Sequence, residues 1–186
     1  MADFLSAYKK TMINEAGYVN DIDDAGGETY DGISRKYNES WRGWKIIDYA
    51  KPNFTKKIKL QIEPHKKTFY KERYWDTFRS DDFESQAIAE ELFDTGVNMG
   101  VARTAQFLQR ALNYLNKNGK LYKDILVDGY IGNKTLSVLE IIMQRNEEPL
   151  LLKILNVLQA RQYLDYMKKH PEQEKFVRGW FNRIFL

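Results

Sequence analysis

Apolar residues recur at helical spacing from the start of the chain. Phe4, Tyr8 and Met12 fall on one face, Asp3 stands where an N-cap belongs, and Gly17 supplies a stop. The pattern predicts a first helix that carries Glu15 in its last turn, where it shares the inward face of Tyr8, Thr11 and Met12. After Val19 the periodicity stops. Asn20, Asp21, Asp23, Asp24, Gly26, Gly27, Glu28, Thr29, Asp31 and Gly32 form a turn-rich segment relieved by Ile22, Tyr30 and Ile33, and it reads as an irregular loop or small hairpin.

Helical spacing then returns and stays. Ser34 to Trp44 reads as a short helix and turn with Trp41 and Trp44 on one side, and the six lysines between Lys51 and Lys67 read as a solvated face. A helix is predicted from about Pro64, with Tyr70, Tyr74 and Phe78 at i, i+4 and i+8. Phe78 belongs to a core stripe there, while Tyr74 and Trp75 are candidate cleft walls. Asp81 or Asp82 is placed to cap the next helix, which buries Ala87, Ile88 and Leu92 before the small residues from Phe93 to Gly100; these mark a close approach of backbone to another segment or to ligand. Val101, Ala105, Leu108, Leu112 and Leu115 predict a further helix ended by Asn116 to Gly119. A helix through Leu139 and Met143, a break at Glu147 to Pro149, and a long helix with Leu151, Leu155 and Leu158 inward follow. His170-Pro171 ends it, and the tail sets Phe176, Trp180 and Ile184 at helical spacing. The class is mainly α with one small loop or hairpin after the first helix.

The chemistry concentrates in the break after the first helix. Glu15 faces both the negative end of a helix macrodipole and partial desolvation; each opposes ionisation, as a general acid at neutral pH requires. The plainer alternative is a helix-end glutamate that reaches water. A calcium loop is the first rival for the segment that follows, since Asp21, Asp23 and Gly26 fill positions 1, 3 and 6 of an EF-hand pattern. Ala25 and Gly32 fail it at positions 5 and 12. No metal site is therefore expected, and His65 stands alone. The remaining plan is a carbohydrate cleft with two acidic residues: Glu15 on the helix end, and carboxylates with the Thr29 hydroxyl presented from a loop over it.

Composition narrows the classes further. The 186 residues suit one domain or two small lobes, and 4 Trp, 12 Tyr and 10 Phe are a high aromatic load that serves cores and sugar-stacking clefts alike. A net charge of +3 without a basic recognition helix argues against nucleic acid, though it favours approach to an anionic cell wall. There is no cysteine, hence no disulfide framework. The start, MADFLSAYKK, has no apolar signal region and no later run is long enough to span a membrane, so the expected product is made in the cytoplasm.

Glu15-Ala16-Gly17-Tyr18-Val19-Asn20-Asp21, Asp24-Ala25-Gly26-Gly27-Glu28-Thr29 and Gly32-Ile33-Ser34 resemble glycoside hydrolase family 108, the N-acetylmuramidases often labelled secretion activators. That family's motif begins Glu-Gly-Gly-Tyr, and Ala16 departs from it at the second position. The order Glu15, Asp24, Thr29 also resembles the triad of phage lysozymes, one residue closer between Asp and Thr. FYKERYWD around Tyr74, Val97-Asn98-Met99-Gly100, and Phe-Val-Arg-Gly-Trp-Phe-Asn-Arg in the tail resemble further stretches of the family. Leu108-Gln109 with Ala111-Leu112-Asn113, then Val127-Asp128-Gly129-Tyr130-Ile131-Gly132 and Thr135, resembles the repeat of helical peptidoglycan-binding modules; its glycines and Asp128 read as structural rather than binding.

The resemblance implies a lysozyme-like catalytic lobe over residues 1–100 and a helical peptidoglycan-binding-like lobe over 101–186, packed as one unit. It implies a monomeric glycosidase that cleaves the glycan strand of peptidoglycan next to N-acetylmuramic acid without cofactor, and that, made in the cytoplasm without a signal peptide, needs a holin-like membrane partner or lysis to reach the cell wall or periplasm. Glu15 would protonate the leaving oxygen; Asp24 or Glu28 would stabilise positive charge or position water, and Thr29 would hold that water. Tyr18, Asn20, Gly27, Tyr74, Trp75 and Asn98 would line the cleft. Hydrolysis with inversion is expected. The alternative is a non-catalytic wall-binding or secretion-accessory protein.

Overall fold

The computed structural model describes residues 1–13, 17–20 and 27–184. Helix α1, Phe4–Met12, starts as its sequence demands: the Asp3 carboxylate accepts from the Ser6 amide at 2.7 Å, and Lys9 and Lys10 lie in the last turn, where the macrodipole favours cations. The helix ends at Met12 with Ile13 as its cap. Glu15, expected in that last turn, lies outside the described residues, as does Asp24.

The turn-rich segment contains a three-stranded antiparallel sheet of two-residue strands: β1, Tyr18–Val19; β2, Thr29–Tyr30; β3, Ile33–Ser34. Tyr18 pairs with Tyr30, and Tyr30 with Ile33. The β2–β3 turn is Asp31-Gly32 with φ of +43° and +80°, the left-handed pair that a two-residue hairpin turn needs and that Asp and Gly tolerate.

The next elements differ from expectation. Ser34 to Trp44 is mostly turn, and α2 runs later, Gly43–Ala50. Helix α3 is Lys56–Tyr70, capped by Thr55 and carrying Pro64 inside it rather than in its first turn. Its inward positions are Ile58, Ile62, Lys66 and Tyr70; Lys66, expected on a solvated face, is buried. A π-helical turn, Lys71–Trp75, then inserts an extra residue, so the inward side chain after Tyr70 is Trp75, five positions on. Asp81 and Asp82 do not cap the following helix: Asp81 accepts from the Trp75 indole, Asp82 pairs with Arg79, and Ser85 is the cap.

Helix α4, Gln86–Met99, is the hub, packed on α1, on α5, Val101–Tyr114, and on α7, Glu148–Lys169. Phe93 meets Phe4, Tyr70, Tyr74 and Trp75 largely edge to face. Gly96 is the close approach foreseen in this stretch, since a Cβ there would stand 2.6 Å from the Phe78 ring. α6, Asn133–Gln144, precedes α7, and α7 begins with Pro149 in its first turn. A 3-10 segment, Pro171–Phe176, and α8, Val177–Phe181, fold the tail back onto α7, where Trp180 stacks on Tyr163 at 5.1 Å and 9°. The described part is thus mostly helical with one small early sheet. None of its helices is long and apolar enough to cross a membrane.

Candidate active site

Tyr18, Glu28 and Thr29 come together on the sheet. The Tyr18 hydroxyl and Lys51 Nζ donate to Glu28 Oε1 at 2.9 and 3.1 Å, while Arg35 Nε stands 2.6 Å from Glu28 Oε2. Arg35 and Lys51 also grip Asp48, at 2.6 and 2.9 Å, and the Arg35 guanidinium lies over the Trp44 ring at 4.4 Å. Asp48 is held below the usual carboxylate range by its hydrogen bonds from Arg35 and Lys51. Burial raises Tyr18, and its bond to Glu28 adds to this. Thr29 Oγ1 donates to the Gly27 carbonyl at 3.1 Å, closing a short turn in which Gly27 has φ of +65°. Asn20 is exposed beyond β1.

A second polar cluster supports this one from below. Lys66 Nζ, on a side chain only 10% exposed, donates to Asp31 Oδ2 at 2.6 Å and stands 3.2 Å from Glu63. The Tyr70 hydroxyl donates to the Asp31 carbonyl at 2.6 Å, and the Asp31 amide donates to the Gly17 carbonyl at 2.8 Å. The hairpin turn is thereby fixed both to α3 and to the residue two places after Glu15. The sequence pattern put Asp31 in the turn-rich segment, Lys66 on a solvated face and Tyr70 in a helical stripe, and gave none of them a role at the site; the signal available was the Asp-Gly dipeptide.

The other expected residues separate. Tyr74 lies at the π turn, stacked on Tyr70 at 5.7 Å, and lines an open pocket with Phe69, Arg73 and Gly100. Trp75 has no exposed surface and donates its indole N–H to Asp81 at 2.7 Å, so its place is in the core and it walls no cleft. Asn98 donates to the Asp94 carbonyl and opens onto a different pocket, beside α7. The Asp128 turn of the module-like motif is internally satisfied: Gln109 Nε2 donates to Asp128 Oδ1 and to the Tyr130 carbonyl at 2.7 and 2.9 Å, and its Oε1 accepts from the Gly129 amide at 2.9 Å.

One pocket had no sequence signal. Lys10, Thr11, Glu91, Asp94, Asn156 and Arg183 line a cavity of about 220 Å³ between α1, α4, α7 and the tail. Arg183 pairs with Asp94 at 2.7 Å, and Lys10 with Glu90 at 3.0 Å. Burial lifts Glu91 to about 7, with the nearby Asp94 charge adding to it and hydrogen bonds from Thr95 and Asn156 opposing it. Burial also raises Asp94, against the pull of Arg183. Among the described residues no group of three or more His, Asp or Glu side chains forms a metal-ligand set.

The family model described as Glycosyl hydrolase 108 matches residues 8–100, and one described as "Predicted Peptidoglycan domain" matches residues 103–185. The solved structure of SagA from Brucella abortus is similar in fold, with a TM-score of 0.60 at 24% identity, covering 97% of this chain and 88% of that one. No curated protein matches the chain. The match over residues 8–100 takes in α1 from Tyr8 onward, the sheet and the hub helix, half of the whole chain, and on that ground the chain belongs to the glycosyl hydrolase 108 family.

Proposed function

We propose that this protein is an N-acetylmuramidase that cleaves the glycan strand of peptidoglycan with Glu15 as its general acid. The coarser part, a peptidoglycan-related hydrolase, follows from the two family matches; the assignment of Glu15 is our reading. The observation that carries it is the tie between Gly17 and Asp31. That bond anchors Gly17, two residues after Glu15 in sequence, to a hairpin pinned by a largely buried ion pair, the kind of support that a proton donor to a glycosidic oxygen requires.

In this mechanism Glu15 protonates the leaving oxygen while water attacks the anomeric carbon. Thr29 donates its only hydroxyl proton to Gly27, which leaves its lone pairs to accept a hydrogen bond from that water. Glu28 has both oxygens engaged by Tyr18, Lys51 and Arg35, so we assign it to holding the hairpin and to charge stabilisation, and assign Asp24 to positioning water. Mass spectrometry of digested walls tests the reaction type. Reducing muramic acid ends are the expected products, and anhydro ends would replace the hydrolytic assignment with internal transglycosylation.

A further inference from the structure

Glu15 stands in sequence between two anchored residues, Thr11 and Gly17. At Gly17 the carbonyl accepts from the amide of Asp31, whose carboxylate is held by the largely buried Lys66. The anchor at Thr11 follows the same plan and draws on the opposite end of the chain. Thr11 is the penultimate residue of α1, only 2% exposed, and its hydroxyl donates to the carboxylate of Asp94 on α4. Asp94 is in turn paired with Arg183 of the tail, Nη1 to Oδ1 at 2.7 Å, and that arginine side chain is 9% exposed. Each anchor is an aspartate that bonds the chain near Glu15 and is itself neutralised by a cation from a distant element.

Stability does not account for the second anchor. Elsewhere α1 packs through Ala7 and the rings of Phe4 and Tyr8, with Phe4 against Trp75 and Phe93. Withdrawing a carboxylate and a guanidinium from water is costly, and an apolar pair of similar volume serves a junction of helices as well or better. What the ion pair adds is direction. Burial pushes Asp94 up and Arg183 opposes this, which keeps the carboxylate an acceptor for the Thr11 hydroxyl. The neighbouring Lys10 bonds Glu90, one turn earlier on the same helix, at 3.0 Å, so two consecutive residues tie the last turn of α1 to α4.

We propose that Arg183 is a positioning residue for the proton donor: through Asp94 and Thr11, the C-terminal tail fixes the last turn of α1, from which the chain runs on to Glu15. The tail lies in the segment matched as a peptidoglycan domain, yet in this role it serves the catalytic half and binds nothing. Loss of Arg183 lets the exit of α1 drift, which lowers the fraction of molecules with the donor aligned on the glycosidic oxygen and leaves wall binding as it was. This inference rests on the reading of Glu15 as the acid.

The test is wall clearing by variants over a range of sacculus concentrations, with rates taken per folded molecule well below each melt. Arg183→Ala and Thr11→Val should each lower the rate at saturating sacculi about tenfold, while the half-saturating concentration stays within about twofold of the parent. Arg183→Lys and Thr11→Ser, which keep the cation and the hydroxyl, should recover most of the rate. Both residues act through Asp94, so the double variant Arg183→Ala/Thr11→Val should be no slower than the slower single one, whereas independent losses would multiply to about a hundredfold. Arg161→Ala removes an exposed cation of α7 and, as the control, should clear like the parent. With Glu15→Gln inactive, three results would overturn the inference: parent-like saturated rates in both Arg183→Ala and Thr11→Val, a multiplied loss in the double variant, or a raised half-saturating concentration as the sole change. Clearing by Glu15→Gln at the parent rate would remove the acid assignment itself, and this inference with it.

Discussion

Two Asp-Gly turns, one in each half of the chain, are held in opposite ways. In the C-terminal turn the Asp128 carboxylate accepts from Gln109 and from the Tyr130 amide, and the Gln109 carboxamide answers Gly129 and Tyr130 in return. The circuit closes on itself and fixes one loop to one helix. In the N-terminal turn every group of Asp31 reaches out of the turn: its carboxylate goes to Lys66 and its carbonyl to Tyr70, both of α3, and its amide to Gly17, two residues after the proposed acid in sequence. The same dipeptide is a self-contained clasp in one place and a junction in the other. A glycine-rich motif therefore reports a turn, and only its partners report whether that turn serves the fold or a site.

Substitutions should split along this line. Gln109→Ala leaves the buried Gly129 amide without a partner, while the Tyr130 carbonyl keeps the Gly132 amide, and should cost about 2–3 kcal/mol of stability with glycosidase turnover at temperatures below the melt kept. Lys66→Met keeps the aliphatic stem but strands a largely buried Asp31, at about 3 kcal/mol, and should lower turnover as well because it loosens the anchor at Gly17. Thermal melts with wall-clearing rates on both proteins check the pair. Equal retention of activity per folded molecule would erase the distinction between clasp and junction.

A smaller effect contrasts the paired carboxylate of Glu28 with the buried one of Glu91. The folded-state pKa of Glu91, about 7, exceeds its unfolded value, so its stabilising contribution is complete below the unfolded value and fades as pH rises through 7. Glu91→Gln should match the parent near pH 4. It should melt roughly 5 °C higher at pH 8, from about 2 kcal/mol of relieved charge burial. Parallel melting curves across that range would show that Glu91 is ionised throughout.

Much of the helical fold was legible because its signals are local. Asp3 caps α1, Pro149 opens α7, and the stripe from Val101 to Leu112 runs through α5 as the period requires. The early part of α3 was hidden by one residue: Lys66 occupies an inward position between Ile62 and Tyr70, and its partner Asp31 lies 35 residues away. The π turn hid the role of Trp75, because an inserted residue shifts a helical stripe without leaving a mark in the composition. Ser85 was passed over as a cap for two aspartates with longer-range partners in Trp75 and Arg79. Of the candidate site, Tyr18, Glu28 and Thr29 were readable as a group because they are near neighbours on one small sheet. The Glu91 pocket was not readable, since it gathers residues from distant elements.

The central claim is that a glutamate at the exit of α1 delivers the proton that breaks the glycan strand. Turbidity clearing of purified cell walls by the parent and by Glu15→Gln measures it most directly, with a thermal melt of each protein alongside. The account predicts clearing by the parent, loss of at least about a hundredfold in the variant, as removal of a general acid entails, and melts within about 2 °C of each other on the scale of a surface change. Clearing by Glu15→Gln at the parent rate would contradict it.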